Sequence, residues 1–204
     1  RDGAVNRAGD RTLRTLHYHF MVTSSTVVVP TRGDMLAWIP LGSAIAELGV
    51  FTGDFAEELW TKCRPSELFL IDIWQGRMGS GDKDGKHFVD IPDMSLVYAQ
   101  LHERWVPHLE VRLCRGTTNA VLSAFPDKRL GFIYVDADHT YAGAHDDLEL
   151  SVRKVCDGGL IGGHDYCPAF PGVMEAVDQF CREHGWRMCV ITQDGCPSYL
   201  LEKA

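Results

Sequence analysis

The residues best suited to chemistry lie where an apolar run stops. Phe132 to Val135 are core-grade residues, and the chain passes from them directly into Asp136, Asp138 and His139. Carboxylates and an imidazole at one strand end are the groups that bind cations and move protons near neutral pH. Similar polar endings recur along the chain. Glu47 and Gly49 close "AELG", Asp72 closes "LFLID", Gly116 and Thr117 follow "EVRLCR", and His164 with Asp165 follow "GGLIGG". A rigid strand is a sound mount for such a group, because its end is held by the packing of the rest.

The first ending also carries a glycine turn. In "AELGVFTGDF", Gly49 and Gly53 let the backbone pass close to a ligand that a Cβ would strike. Their G-x-x-x-G spacing is not the G-x-G-x-x-G of a dinucleotide site, and no G-K-[ST] of a P-loop follows. Asp72 ends the next apolar run after Glu47. From there a carboxylate can take both hydroxyls of a ribose. Together they point to a nucleoside ligand.

Elements must position these groups, and the apolar pattern supplies them. Strands are expected at 44–50, 68–74, 110–116, 130–136 and 158–165. Helices are expected at 53–63, 94–105, 144–155 and 172–185, with a short one around Val121, Leu122 and Phe125. Phe55, Leu59 and Cys63 recur on one helical face, and Gly185 ends the last helix. Asp194-Gly195 signals a hairpin between two closing strands. Near-continuous apolar strands alternating with helices imply an α/β fold, a parallel sheet covered on both faces, with ligands at the carboxyl ends of the strands.

The chain has 204 residues, with ordinary hydrophobic (45%) and charged (24%) fractions. That is enough for one full-sized domain. Its formal charge of −8 argues against a nucleic-acid partner, and no apolar run is long enough for a membrane span. Seven irregularly spaced cysteines, none in a C-x-x-C pair, suit thiols of a reducing cytoplasm rather than disulfides or a zinc site. Residues 1–33 form a basic, uneven arm, expected to pack loosely or to join a second copy in a homo-oligomer. Residues 34–204 form the domain. Residues 75–93, rich in Gly, Asp and Lys, are expected to be a flexible lid.

Four stretches, "AELGVFTGDFAEEL", "LFLIDIW", "YVDADHTYAGAHDDL" and "GGLIGGHDY...PGVMEAVDQF", resemble the class I S-adenosylmethionine-dependent methyltransferases. The resemblance is nearest to the small-molecule and sugar O-methyltransferase branch that includes macrocin-type enzymes and cephalosporin-hydroxylase-like proteins. It implies a Rossmann-like sandwich with a mostly parallel seven-stranded sheet and an antiparallel last strand. It also implies S-adenosylmethionine held by Glu47, Gly49 and Gly53 at its methionine part, by Asp72 at the ribose, and by Gly116 and Thr117 beside the adenine. "RGTTN" departs from the acidic residue or serine many relatives carry there.

In metal-dependent relatives, acids end the fourth and fifth strands, which here implies a divalent cation on Asp136, His164 and Asp165. His164 in place of a carboxylate softens the site, so Mn²⁺ or Fe²⁺ competes with Mg²⁺. The same resemblance places the general base at His139, which would take the proton of an acceptor hydroxyl. Asp138 is open between ligand, orienting partner and turn residue, and Trp74 between adenine stacking and core. His145, Asp146 and Asp147 read as a solvated first helical turn. The expected activity is O-methylation of a small hydroxylated molecule. A metal-independent enzyme and a non-catalytic cofactor-binding module are the alternatives.

Overall fold

The computed structural model describes residues 22–75 and 93–204. The expected lid lies outside the described residues except at its two ends. Eight strands form one sheet in the order β1-β7-β8-β6-β5-β2-β3-β4. They are β1 Val27–Val29, β2 Ala44–Leu48, β3 Glu67–Asp72, β4 Val111–Arg115, β5 Leu130–Val135, β6 Val155–Gly163, β7 Trp186–Thr192 and β8 Tyr199–Lys203. All neighbours run parallel except β8, which is antiparallel to both β6 and β7.

The sheet therefore has eight strands rather than the expected seven. The addition comes from the supposedly loose arm, whose Val27–Val29 pairs with Val190–Thr192 at the edge. This pairing gives the edge of β7 a partner for its backbone groups. Thr31 then starts the short helix α1, Arg32–Met35, through a reciprocal capping box with Asp34. The Arg32 N–H donates to Asp194 Oδ2 at 3.0 Å, so the arm's end is tied to the loop after β7. That loop, 193–198, carries the Asp194-Gly195 turn in place of a tight hairpin.

Alternation along the central strands sorts the core onto two faces. On β5, Ile133 and Val135 join Leu48, Ile71 and Ile161 in one buried cluster. Phe132 and Tyr134 join Ile45, Leu68 and Leu70 in the other. The first cluster is covered by α4 (Thr118–Ser123), α5 (Tyr141–Lys154) and α6 (Pro171–His184). The second is covered by α1, α2 (Asp54–Glu58) and α3 (Met94–Trp105). Each of these side chains contributes roughly 1.5–3 kcal/mol by leaving water, which fixes the register of the strands.

Two helical boundaries differ from the sequence expectation. The helix expected over 53–63 changes after Glu58 into a π-turn, Leu59–Cys63, that ends at Arg64 with φ of 46°. Helix α5 begins at Tyr141, not 144, because Thr140 caps it by accepting from the Gly143 N–H. His145 thereby sits in the second turn. No helix among the described residues is long and apolar enough to cross a membrane.

Candidate active site at the strand ends

Backbone bonds carry the sheet ladder one residue past the strands and so set the heights of the functional groups. The Gly49 N–H donates to Ile71 O, Asp136 N–H to Leu48 O, His164 N–H to Val135 O and Gly116 N–H to Asp72 O, at 2.8 to 3.1 Å. These strand ends are levelled this way. Above the central ones lies a cavity of about 320 Å³. Glu47, Gly49 and Asp72 line one side, and Asp136, His139, His164 and Asp165 the other. Gly53, Gly116 and Thr117 are not among its lining residues. A second depression, of about 360 Å³, lies beside the amino ends of β3 and β4 with Trp60, Arg64 and Glu110 on its walls. It gathers no comparable set of titratable groups.

The imidazoles and carboxylates form one connected cluster. His139 Nε2 lies 3.3 Å from Asp136 Oδ1 and 3.0 Å from Asp165 Oδ2. His164 Nδ1 lies 3.0 Å from Asp165 Oδ1 and 3.9 Å from Asp136 Oδ1. Asp165 thus bridges both rings, and it holds φ at 62°. That left-handed backbone is rare outside glycine and typical of functional turns. The His139 ring also packs on Phe170.

Burial raises the Asp136 carboxyl above its usual range, with His139 opposing. The hydrogen bond to Asp136 raises His139, against burial. Burial works to lower His164, but its bond to Asp165 and the acids around it leave it raised. Burial likewise works to raise Asp165, and the two imidazoles outweigh it and lower it.

This geometry redraws the expected division of labour. The set whose ligand atoms all lie within 4.8 Å of one another is Asp136, His139 and Asp165, while His164 stands slightly apart. The expected base is therefore interleaved with the expected cation ligands. One imidazole nitrogen and two carboxylates close together, with a second imidazole beside them, are a donor set that fits a divalent cation. Asp138 is outside the cluster. Its Oδ1 accepts from the Thr140 N–H at 2.9 Å, which makes it a turn residue.

On the opposite wall, Glu47 is 2% exposed and its Oε2 has no hydrogen-bond partner among the described residues. Burial first, then the charge of Asp136, pushes its carboxyl well above the usual range. An orphaned buried carboxyl oxygen at a cavity wall is a place where a bound donor fits. The ammonium of a methionine moiety fits it.

The glycines of the turn are required by the protein's own packing. A Cβ on Gly49, whose φ is 87°, would lie 2.0 Å from the Asp136 carbonyl oxygen. One on Gly53, at φ of 83°, would meet Leu101 Cδ2 at 2.6 Å. The close approach is to the protein's own chain, and Gly49 is what lets the Asp136 turn sit against β2.

Asp72 is likewise engaged within the protein. Its Oδ2 accepts from the Val50 and Phe51 N–H groups and its Oδ1 from the Trp74 N–H, at 2.8 to 2.9 Å. Trp74 is fully buried, stacks near Tyr98 and donates its indole N–H to Phe51 O, so it is a core residue. Thr117 caps α4 by accepting from the Ala120 N–H, and a Cβ on Gly116 would meet Val121.

Arg32 is the site residue the sequence does not reveal. It lines the cavity, with its guanidinium 4.6 Å above the Phe55 ring, and its charge acts on both Glu47 and Tyr134. It belongs to a segment without helical or strand periodicity, and only the pairing of β1 with β7 brings it to the site.

Comparison with known proteins agrees with this architecture. Residues 46–166, more than half of the chain, match the family described as "Methyltransferase domain". A search of curated proteins finds no match. Among solved structures, a precorrin-6y C5,15-methyltransferase from Geobacter metallireducens superposes with a TM-score of 0.60 at 11% identity, covering 84% of this chain and 85% of that one. A putative methyltransferase from Streptococcus mutans in complex with SAH gives 0.59 at 11% identity, over 84% of this chain and 95% of that one. The tRNA methyltransferase TrmK of B. subtilis gives 0.59 at 13% identity, over 86% of this chain and 67% of that one. The chain belongs to the methyltransferase-domain family and is a class I S-adenosylmethionine-dependent methyltransferase.

Proposed function

We propose that this methyltransferase acts on a hydroxyl of a small molecule or sugar-containing natural product, with His139 as general base. The observation that carries this reading is the position of His139 Nε2, at 3.0 and 3.3 Å from two carboxylates on the wall of the cavity that also holds the orphaned Glu47 oxygen. When bound, S-adenosylmethionine supplies an electrophilic methyl carbon on a sulfonium. Glu47 Oε2 would take the ammonium of the cofactor's methionine part and Arg32 its carboxylate. Asp72 keeps one lone pair on Oδ1 that would take a ribose hydroxyl, and Gly116 with Thr117 would flank the adenine.

On the other wall, His139 Nε2 would take the proton of the acceptor hydroxyl as the methyl group passes from the sulfonium to the acceptor oxygen, the carbon–sulfur bond breaking with its electron pair left on the departing thioether. Asp136 and Asp165 stabilise the imidazolium so formed. Asp136, His164 and Asp165 would hold a divalent cation, which would orient the acceptor oxygen and lower its pKa. The net charge of −8 disfavours a polyanionic acceptor such as the tRNA named for one structural neighbour.

A metal-independent reading has a specific observation in its favour. The two carboxylates beside His139 stabilise the imidazolium that forms as the ring takes the proton, which gives base catalysis its support without a cation. Methyl transfer to a panel of hydroxylated acceptors, with and without EDTA, decides between the two. The metal-assisted reading expects EDTA to abolish turnover and added Mg²⁺, Mn²⁺ or Fe²⁺ to restore it. Under either reading His139→Ala loses roughly 10²–10⁴-fold in kcat. A fully active His139→Ala enzyme would reject the base assignment.

A further inference from the structure

The geometry points to a second cation site, away from the cavity, that clamps α5 to α6 through His145, Glu149, Glu183 and His184 and takes a Zn²⁺-class dication. Ligand atoms of His145, Glu149 and Glu183 all lie within 4.8 Å of one another. His184 Nε2 lies beside this set, 2.6 Å from Glu149 Oε1. In a tetrahedral zinc site with bonds of about 2.0–2.1 Å, neighbouring donors stand roughly 3.4 Å apart. Partly exposed side chains can close the remaining distance by small rotations. His145 and Glu149 share one face of α5 at the i,i+4 spacing, which places two ligands on one cation without bending the helix.

The surroundings hold these donors in place. The Tyr141 ring packs against His145 with centroids 5.5 Å apart, and its hydroxyl donates to Gln179 Oε1 at 2.7 Å. Gln179 Nε2 in turn donates to Glu183 Oε1 at 2.9 Å. The His184 ring lies against Phe180 at 4.8 Å. One chain of contacts thus aims both His145 and Glu183, the arrangement expected of groups that orient metal ligands. The Glu149–His184 ion pair accounts for two of the four residues without a metal. It does not account for His145 and Glu183 converging on the same point. The carboxylate of Asp146 is 3.6 Å from His145 Nδ1, too far for a hydrogen bond that would fix the ring.

Two imidazoles and two carboxylates select Zn²⁺, Co²⁺ or Ni²⁺ over Mg²⁺ and Ca²⁺, which want more oxygen ligands and a larger coordination shell. The position has a consequence for the fold. Helix α5 leaves the turn that carries Asp136 and His139, and α6 leaves the turn that carries His164 and Asp165. A cation between the helices ties together the two supports of the catalytic cluster.

The test is Co²⁺ titration of the full chain, followed by visible absorption and calorimetry. The variants are His145→Ala, Glu183→Gln and Gln179→Ala, each checked for native folding by circular dichroism. An Asp165→Ala background separates this site from the cavity. The parent and Asp165→Ala should both show an equivalent of Co²⁺ with a nitrogen–oxygen spectrum lacking thiolate charge transfer. His145→Ala and Glu183→Gln should weaken that equivalent by about 100-fold and Gln179→Ala by about 10-fold. Zn²⁺ should raise the thermal midpoint of the parent more than that of either ligand variant. Unchanged affinity in both ligand variants would overturn the proposal. So would a parent whose every bound Co²⁺ disappears with Asp165→Ala, or whose spectrum is that of a thiolate complex.

Discussion

Asp72 offers the sharpest separation between holding the fold and binding a ligand. Its carboxylate accepts three backbone N–H groups, from Val50, Phe51 and Trp74. Asp72→Ala strands all three. Val50 is 4% exposed and Trp74 fully buried, so their donors have no water to turn to. Phe51, 43% exposed, can rehydrate. Two fully stranded donors at roughly 1–3 kcal/mol each, plus a smaller loss at Phe51, give a destabilisation of about 3–5 kcal/mol. That is a large share of the roughly 5–15 kcal/mol typical of a domain.

Asp93 supplies the control. It caps α3 by accepting from the Ser95 and Leu96 N–H groups, but in solvent. Asp93→Ala should therefore cost about 1 kcal/mol. Urea unfolding of the parent and both variants measures the difference. Equal midpoints for the two variants would refute the claim that the glycine turn hangs on Asp72. Any loss of cofactor affinity in Asp72→Ala must be read beside this number, because the turn that would face the cofactor moves with it.

Gly49→Ala should cost about 3 kcal/mol or more in urea unfolding, since its Cβ meets an immovable carbonyl. Gly42 also has a left-handed backbone, with φ of 76°, but open space around it. Gly42→Ala should cost only about 1 kcal/mol. Similar losses for both would show that backbone conformation, not contact with the Asp136 turn, is what Gly49 provides. Lys154 Nζ donates to Phe125 O and Asp127 Oδ1 at 2.7 Å from a buried position. Lys154→Met should destabilise by about 2 kcal/mol, and a change below about 0.5 kcal/mol would mean that water replaces the ammonium.

Burial pushes the Cys63 and Cys189 thiols up to about 11 and Cys181 up to about 12. These thiols stay protonated in the fold at a pH where the unfolded chain has lost those protons. Their contribution to stability should therefore be flat below about pH 9 and fall as pH rises from there toward about 11–12. At about pH 8 all three should resist a thiol reagent until urea is added. Prompt labelling of any of these three in the native chain would contradict its burial.

The parts of the fold set by periodicity are legible in the sequence. The long apolar strands and the helices between them follow from patterns that a two-faced core imposes, and the closing hairpin from the Asp194-Gly195 turn signal. Val27–Val29 is not legible, because three residues carry no period and their pairing with β7 lies far away in sequence. The start of α5 escapes the pattern because Thr140 caps from outside the apolar positions. At the site, the residue types at the strand ends stand out, since polar groups there interrupt core-grade runs.

What each side chain touches does not stand out. Gly49 answers to the Asp136 carbonyl, Asp72 to three backbone donors and Asp138 to its own turn. Most such contacts depend on chain crossings that no local signal encodes. Arg32 is hidden for the same reason, its role resting on where β1 docks.

The proposed site holds the cofactor's methionine part between Glu47 and Arg32, and calorimetric titration with S-adenosylmethionine tests that placement most directly. The parent should bind one equivalent. Glu47→Gln and Arg32→Met, each still folded, should bind about 10–100-fold more weakly through the loss of one charge-assisted contact. Parent-like affinity in both folded variants would contradict the account and place the cofactor elsewhere.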